Sequence, residues 1–185
     1  MEKIQKISTF FKWLFIAGII IYPVLLISFW LQAPTPLSFD GHATGVFINF
    51  IPKNYQQLAE QSMLASTKML GFIASLLPAI FTLWLLALLI RLFGRFQKQE
   101  LFSLTNVATI RWIGFALLLG QLVMLPYQAL LTAILSWHHG PGHRLMAISF
   151  SGSNLGIILI ALLIILISWV MAEGAKLQQE QELTI

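Results

Sequence analysis

Residues 91–111, RLFGRFQKQELFSLTNVATIR, form a long polar stretch between two very apolar runs of the sequence. Four basic residues surround the single acid Glu100, and large apolar side chains stand among them. Cations beside aromatic rings are typical of a segment in the headgroup layer of a membrane, where the cations bind lipid phosphates. The stretch therefore predicts an amphipathic connector between two membrane spans.

The composition of the chain favours a membrane protein. Of its 185 residues, 58% are hydrophobic and 10% are charged. A water-soluble domain carries about 25% charged residues, so this chain cannot bury its apolar surface in a water-soluble fold. The net charge of +4 comes from cations that flank apolar runs, which argues against direct binding of nucleic acid. The sequence contains no cysteine, which excludes disulfides and thiolate metal sites.

Uncharged runs of membrane length lie on both sides of the connector. A helix rises 1.5 Å per residue, so about 20 residues cross the hydrocarbon core of a bilayer. The sequence predicts spans at residues 13–31, 69–90, 112–137 and 154–172. Tyr22 and Trp30 are placed for the outer interface. Residues 145–153 are also uncharged, and we expect either a lead-in to the fourth span or a re-entrant piece.

The remaining segments define the predicted topology. Residues 32–68 form an outer loop, residues 91–111 the inner connector and residues 173–185 a cytoplasmic tail. Eight Lys and Arg residues lie on the side of the termini and the connector, and three lie on the other side. Because cytoplasmic loops are enriched in these cations, both termini are placed in the cytoplasm. We predict an all-α fold, a single integral membrane domain (residues 1–185) built as a four-helix bundle.

Small and polar residues within the spans are expected to pack helices together. No charge lies at the centre of a span, where a transport path or a proton relay would need one. Four small-residue positions would permit helices to approach closely, namely Ala17-Gly18, Gly114, Gly120 and Gly156. At the start of the third helix, Ser103, Thr105 or Asn106 is expected to act as the cap. The polar residues expected to hydrogen-bond between helices are Gln121, Gln128, Asn154, Thr82 and Ser168.

A candidate metal site lies in the predicted outer loops. Imidazole is the commonest ligand type for Zn, Cu and Ni, and four histidines lie on this side. Gly140-Pro141-Gly142 opposes a helix, so a Zn or Ni site would be a loop chelate assembled from both loops. The alternatives are proton sensing by the same histidines and ordinary polar residues in exposed turns. The candidate ligands are Asp40, His42, His138, His139 and His143.

The predicted inner face carries a candidate partner-binding site. Cations of the connector and acids of the tail are expected to pair with each other or to bind a partner. The alternative is that the cations anchor to lipid and the acids are solvated. The sequence contains no phosphate loop, protease motif or catalytic triad, so neither a catalytic residue nor an enzyme activity is predicted. The candidate residues are Arg95, Lys98, Glu100, Phe102, Asn106, Arg111, Glu180, Glu182 and Thr184.

A sequence pattern runs from the connector to the end of the chain. It consists of Phe96, Gln99-Glu100, Phe102-Ser103, Asn106, Ile110-Arg111, Ile113-Gly114 and residues 180–185. This pattern resembles the small bacterial membrane proteins of the domain of unknown function 2975 family, although many members have Gly at the position of Gln99. The resemblance covers the last half of the chain. It implies four spans, a bacterial inner-membrane location and no established activity. Members are often encoded beside a small helix-turn-helix regulator of the Cro/CI type, which implies such a regulator as a partner.

Together these features favour a non-enzymatic protein with a regulatory or signalling role. It would act through the connector and the tail, tethering a small helix-turn-helix regulator. Two other classes stay open: a small transporter or metal-handling or resistance protein that uses the outer histidines, and a structural subunit of a membrane complex. Membrane lipids are expected partners in each case, and the small residues of the spans are compatible with a homo-oligomer. No cofactor is expected apart from Zn or Ni.

Overall fold

Four long α-helices make up most of the protein in a computed structural model. The structure describes residues 2–32, 64–98, 103–137, 144 and 146–182. No strand occurs in these ranges, so the predicted all-α class is confirmed for the part of the chain described. The helices are α1 (Glu2–Gln32), α2 (Ala65–Gln97), α3 (Leu104–Ser136) and α4 (Gly152–Glu182).

All four helices are long and apolar enough to cross a membrane. They contain 31 to 33 residues each, which is about 46–50 Å of helix against about 30 Å for the hydrocarbon core of a bilayer. Large apolar side chains remain exposed along them, including Ile20 (62% exposed), Ile80 (61%) and Leu159 (58%). Such side chains need lipid as their solvent. The chain is a multi-pass membrane protein.

The structure differs from the sequence analysis on the extent of the inner connector. Most of residues 91–111 is helical, because α2 continues past Arg91 to Gln97 and α3 begins at Leu104. Arg and Lys are good helix formers, and their long stems carry the charge away from the helix axis. Cations at the edge of an apolar run therefore do not end a helix. Residues 99–102, and residues 33–63 of the outer loop, lie outside the described ranges.

Ser103 caps α3, which confirms one of the three predicted candidates. Its Oγ accepts a hydrogen bond from the Asn106 N–H at 3.3 Å. Its carbonyl oxygen accepts from the N–H groups of Asn106 (2.9 Å) and Val107 (3.1 Å). A serine hydroxyl that satisfies an amide of the first helical turn is the usual N-cap arrangement. The polar residue thus starts the third helix immediately after the connector.

Packing divides the chain into two compact units. Unit 1 consists of Met1–Ile20, Phe81–Gln121 and Gly152–Ile185 and contains segments of all four helices. Unit 2 consists of Ile21–Ile80 and Leu122–Ser151. It contains segments of α1, α2 and α3 together with the non-helical residues that precede α4.

In unit 1 the core forms between α2 and α3, and α4 packs closely on α3. Leu88, Leu92 and Ile113 are buried in this core. A Cβ atom added at Gly114 would lie 2.6 Å from Ile165 Cγ1 and 3.0 Å from the Ala161 carbonyl oxygen. The helices therefore approach each other at a position where only glycine leaves enough room. The predicted role in close packing is confirmed for Gly114. It is wrong for Gly156, where an added Cβ atom would have no atom within 4 Å among the described residues.

In unit 2 the core contains residues of α1, α2 and α3. Phe29, Trp30, Tyr127 and Leu131 are its large members, and each is at most 3% exposed. The ring of Trp30 lies directly against the backbone of α2 at Gly71, so that a Cβ atom on this glycine would overlap the ring. Trp30 is therefore buried between helices, and its ring does not face the lipid as an exposed interfacial residue would. Its ring fills the space that Gly71 leaves open.

Gly71→Ala should destabilise the protein, because the new methyl group would displace the Trp30 ring from the unit 2 core. Overpacking of this kind costs about 1–3 kcal/mol of unfolding free energy. The measurement is the midpoint of denaturation by a harsh detergent. Gly94→Ala, at a helical glycine with no atom within 4 Å of the new Cβ, is the matched control and should be neutral or stabilising by up to about 1 kcal/mol. Equal midpoints for the two variants would contradict this packing.

Candidate functional site

Arg95 joins the end of α2 to the start of α3. Its Nη1 donates hydrogen bonds to Thr109 Oγ1 at 2.8 Å and to the Thr105 carbonyl oxygen at 3.0 Å, and lies 3.4 Å from Asn106 Oδ1. The Thr109 hydroxyl donates to the same Thr105 carbonyl at 2.8 Å. Its proton is thus directed away from Arg95, which leaves a lone pair to accept from the guanidinium. We call Arg95, Thr105, Asn106 and Thr109 the Arg95 cluster.

One side of the Arg95 guanidinium is occupied by this cluster. Asn106 is fully buried and Thr109 is 7% exposed, whereas Arg95 is half-buried. The guanidinium has five N–H donors in a planar fork, and within the described ranges the hydrogen bonds of Arg95 all come from Nη1. Nε and Nη2 carry the other three donors, which suit the oxygens of a carboxylate or a phosphate.

Arg111 joins α3 to α4. Its Nε donates to Ser168 Oγ at 3.3 Å, and the fully buried Ser168 hydroxyl donates to the Ile165 carbonyl at 2.6 Å. Gly114 lies one helical turn after Arg111 and contacts Ile165, one turn before Ser168. The close approach at Gly114 therefore brings the arginine within reach of the serine. Ser168 hydrogen-bonds between helices, as the sequence predicts.

The other predicted partner-binding residues lie at the end of α2 and in the tail. Lys98 is exposed just after α2, and its N–H donates to the Arg95 carbonyl at 2.9 Å. Glu180 and Glu182 belong to the last turns of α4, so the predicted tail is helical as far as Glu182. The structure thus brings Arg95 and Asn106 together and places Arg111 against α4. Glu100, Phe102 and Thr184 lie outside the described ranges.

One acid of the tail, Glu173, has an ion-pair partner among the described residues, and this partner lies in the tail and not in the connector. Glu173 forms an ion pair with Lys176, at 3.4 Å and within α4 itself. Both side chains are more than 60% exposed, so the pair contributes little stability. Glu173 thus has a partner on its own helix, while the pairing of other tail acids stays a prediction.

All five candidate metal ligands lie outside the described ranges. They are Asp40, His42, His138, His139 and His143. The residues that the structure does describe contain no group of three or more side chains suited to hold a metal ion. The loop site for Zn or Ni therefore stays a prediction.

The sequence analysis missed a buried hydrogen-bond network centred on Ser75 in unit 2. The Ser75 hydroxyl donates its proton to the Gly71 carbonyl at 2.8 Å. It must therefore accept the other two bonds, from Trp30 Nε1–H at 3.1 Å and from the Tyr127 hydroxyl at 3.1 Å. The network joins α1, α2 and α3 and uses the full hydrogen-bonding capacity of the hydroxyl. An uncharged span containing Trp or Tyr implies a nearby acceptor, but the sequence does not say which one.

Residues 146–151 are non-helical and run beside α3. The Ala147 N–H donates to Thr132 Oγ1 at 3.0 Å, and the Ser149 N–H donates to Gln128 Oε1 at 2.7 Å. The later residue contacts the earlier one, so the segment runs antiparallel to α3. Gln128 lies about 12 Å along the helix from its end at Ser136. The segment continues directly into α4 at Gly152, so it is a non-helical lead-in to the fourth span, which is one of the two predicted alternatives.

The spacing of these two hydrogen bonds follows from the geometry of the two backbones. Two residues of extended chain advance about 6.6 Å, and four residues of helix advance about 6 Å. Alternate amides of the segment therefore meet side chains one helical turn apart. The residues that alternate with the two bonded ones are exposed: Met146 at 76%, Ile148 at 59% and Phe150 at 57%. Their alternation places apolar side chains outward, while Gln128 and Thr132 supply acceptors that the segment lacks within its own backbone.

Gln128→Leu should loosen this non-helical segment, because the Ser149 N–H would lose its acceptor. A single hydrogen bond of about 1.4 kcal/mol corresponds to a tenfold change in the population of the open state. The protein has no cysteine, so Ser149→Cys introduces one labelling site at a half-buried position of the segment. We expect its maleimide labelling to be about tenfold faster in the Gln128→Leu background. Gln121→Leu makes the same change elsewhere in α3 and should leave the rate unchanged; equal rates in both backgrounds would refute the role of Gln128.

Comparison with known proteins identifies the family of the chain. A family model described as "Protein of unknown function (DUF2975)" matches residues 54–185. No curated protein and no solved structure gives a significant match. The matched range includes α2, α3 and α4, and with them the Arg95 cluster and the non-helical residues 146–151. The match begins at residue 54, before the first residue of the sequence pattern that carries the resemblance, Phe96. Because the match covers more than half of the sequence, the chain belongs to the DUF2975 family of proteins of unknown function.

Proposed function

We propose that the protein is a non-enzymatic regulatory protein of the bacterial inner membrane that tethers a small helix-turn-helix regulator on its cytoplasmic side. The observation that carries this proposal is the continuity of α4, from Gly152 to Glu182. Its apolar run ends at Ala172. Residues 173–182 continue as about 15 Å of helix beyond that point. A span that only anchors the chain needs no such extension.

The distribution of cations supports a cytoplasmic position for unit 1. All eight Lys and Arg residues that the sequence analysis places inside belong to the three segments of unit 1. Enrichment of Lys and Arg on the cytoplasmic side is the main determinant of membrane orientation. The helical tail of α4 then projects into the cytoplasm.

The two arginines support coupling between the tail and the rest of unit 1. Arg95 holds α2 to α3, and Arg111 holds α3 to α4 through Ser168. Ser168 lies one turn before Ala172, where the tail begins. A partner that displaces the tail would act on this chain of contacts, and connected contacts of this kind are a physical route for coupling between sites.

The chemistry of the tail favours a basic partner. Glu173 is exposed, and the tail carries Glu180 and Glu182 about two and two and a half turns later. A helix-turn-helix protein has a basic face that binds the phosphates of DNA. An acidic helix would compete with DNA for that face and hold the regulator at the membrane. The N–H groups on Nε and Nη2 of Arg95, which bond to no described residue, would bind a carboxylate of the partner.

The test is photo-crosslinking in cells from a probe amino acid at Gln179, with captured proteins identified by mass spectrometry. We expect one small helix-turn-helix protein. Its capture should fall at least tenfold in the double variant Glu180→Lys, Glu182→Lys, because each substitution replaces attraction by repulsion. Gln178→Lys adds a cation without removing an acid and should reduce capture much less. A probe at Ile160, which is 54% exposed in the apolar part of α4, should capture no regulator.

Two outcomes of the crosslinking experiment would contradict the tethering of a regulator. If the probe at Gln179 captures only lipid and other copies of this chain, no regulator is tethered there and the proposal is wrong. The same conclusion follows if a regulator is captured equally well by the charge-reversed double variant.

A further inference from the structure

Unit 2 contains an apolar groove between the end of α1 and the start of α2. Its volume is about 350 Å³, and it is lined on one side by Ile27, Trp30 and Leu31 and on the other by the first turns of α2, including Lys68 and Met69. We propose that this groove binds an anionic phospholipid, with one acyl chain in the groove and the phosphate on the Lys68 ammonium group. The inference is independent of the proposed tethering function.

The walls of the groove suit a hydrocarbon chain. Apart from Lys68, the lining side chains are apolar. The polar atom of Trp30 is not available to a ligand, because Nε1 donates to Ser75 Oγ at 3.1 Å. An occupant with several polar groups would lose hydrogen bonds there, at a cost that an acyl chain does not have.

The wall formed by Trp30 is also preformed. Its ring is held by the hydrogen bond to Ser75 and by contact with the backbone at Gly71. Trp30 is 3% exposed, so the ring has little freedom to collapse into the groove. A rigid apolar wall lowers the entropic cost of binding.

Lys68 supplies the charge that selects the headgroup. It is half-buried in the first turn of α2, and no described residue forms an ion pair with it. A cation in the first turn lies at the positive end of the helix dipole, so the helix itself disfavours its charge. A bound phosphate would supply the missing ion-pair partner of Lys68 and would also offset the unfavourable effect of the helix dipole on its charge. A cation beside an apolar groove, with no ion-pair partner among the described residues, fits one molecule that has an anionic head and a hydrocarbon tail.

The test is native mass spectrometry of the full chain in detergent, titrated with phosphatidylglycerol and, in parallel, with phosphatidylcholine. Wild-type protein should bind phosphatidylglycerol more tightly. Lys68→Gln should weaken binding of phosphatidylglycerol about fivefold, which is the contribution of one lysine near an anionic lipid. Ala65→Phe places a ring in the groove and should weaken binding of both lipids.

Lys12→Gln is the matched control, since it removes the same charge from a half-buried lysine of α1 in unit 1. Its affinity should stay within twofold of wild type. If Lys12→Gln and Lys68→Gln weaken binding equally, the effect is one of net charge and the site is refuted. If only Ala65→Phe has an effect, the groove holds a neutral chain and the assignment of the headgroup to Lys68 is wrong. Wild-type binding by both groove variants would refute the groove itself.

Discussion

The structure depends on one constraint of the lipid environment, which is that polar groups must find their partners within the protein. Water is absent from the core of a bilayer, and each unsatisfied backbone group there costs several kcal/mol. Helices meet this requirement for most of the chain. Where residues 146–151 leave the helical conformation, Gln128 and Thr132 accept the hydrogen bonds of alternate amides. The Ser75 hydroxyl does the same for the polar atoms of Trp30 and Tyr127.

The same constraint explains how the arginines of unit 1 are used. Arg95 and Arg111 each direct part of a guanidinium to hydroxyl or carbonyl oxygens of a neighbouring helix. Each thereby joins two helices at the edge of the apolar region, while its long stem keeps the charge near polar surroundings. Residues that were predicted to bind a partner thus also hold the helices together. The two roles are compatible for Arg95, because its hydrogen bonds to α3 use one nitrogen of the fork.

Features that depend on residues close together in the sequence could be predicted from the sequence. The capping of α3 by Ser103 depends on residues within one turn, and the small volume of Gly114 is visible in the sequence. The partners of the polar side chains depend on residues far apart in the chain. Trp30 and Ser75 are separated by 45 positions, Ser75 and Tyr127 by 52, and Arg111 and Ser168 by 57. No periodicity or spacing rule connects such residues.

By itself the sequence determined the class of the protein, its four membrane-length helices and its family. The physical reason is that long uncharged runs are stable only in lipid, where a helix satisfies its own backbone. Only the tertiary structure decided that Trp30 is buried between helices instead of exposed to lipid, because its position depends on the space left by Gly71 in another helix. Only the tertiary structure decided the path of residues 146–151 as well. That path depends on acceptors supplied by α3 at a matching spacing, which no property of the segment alone reveals.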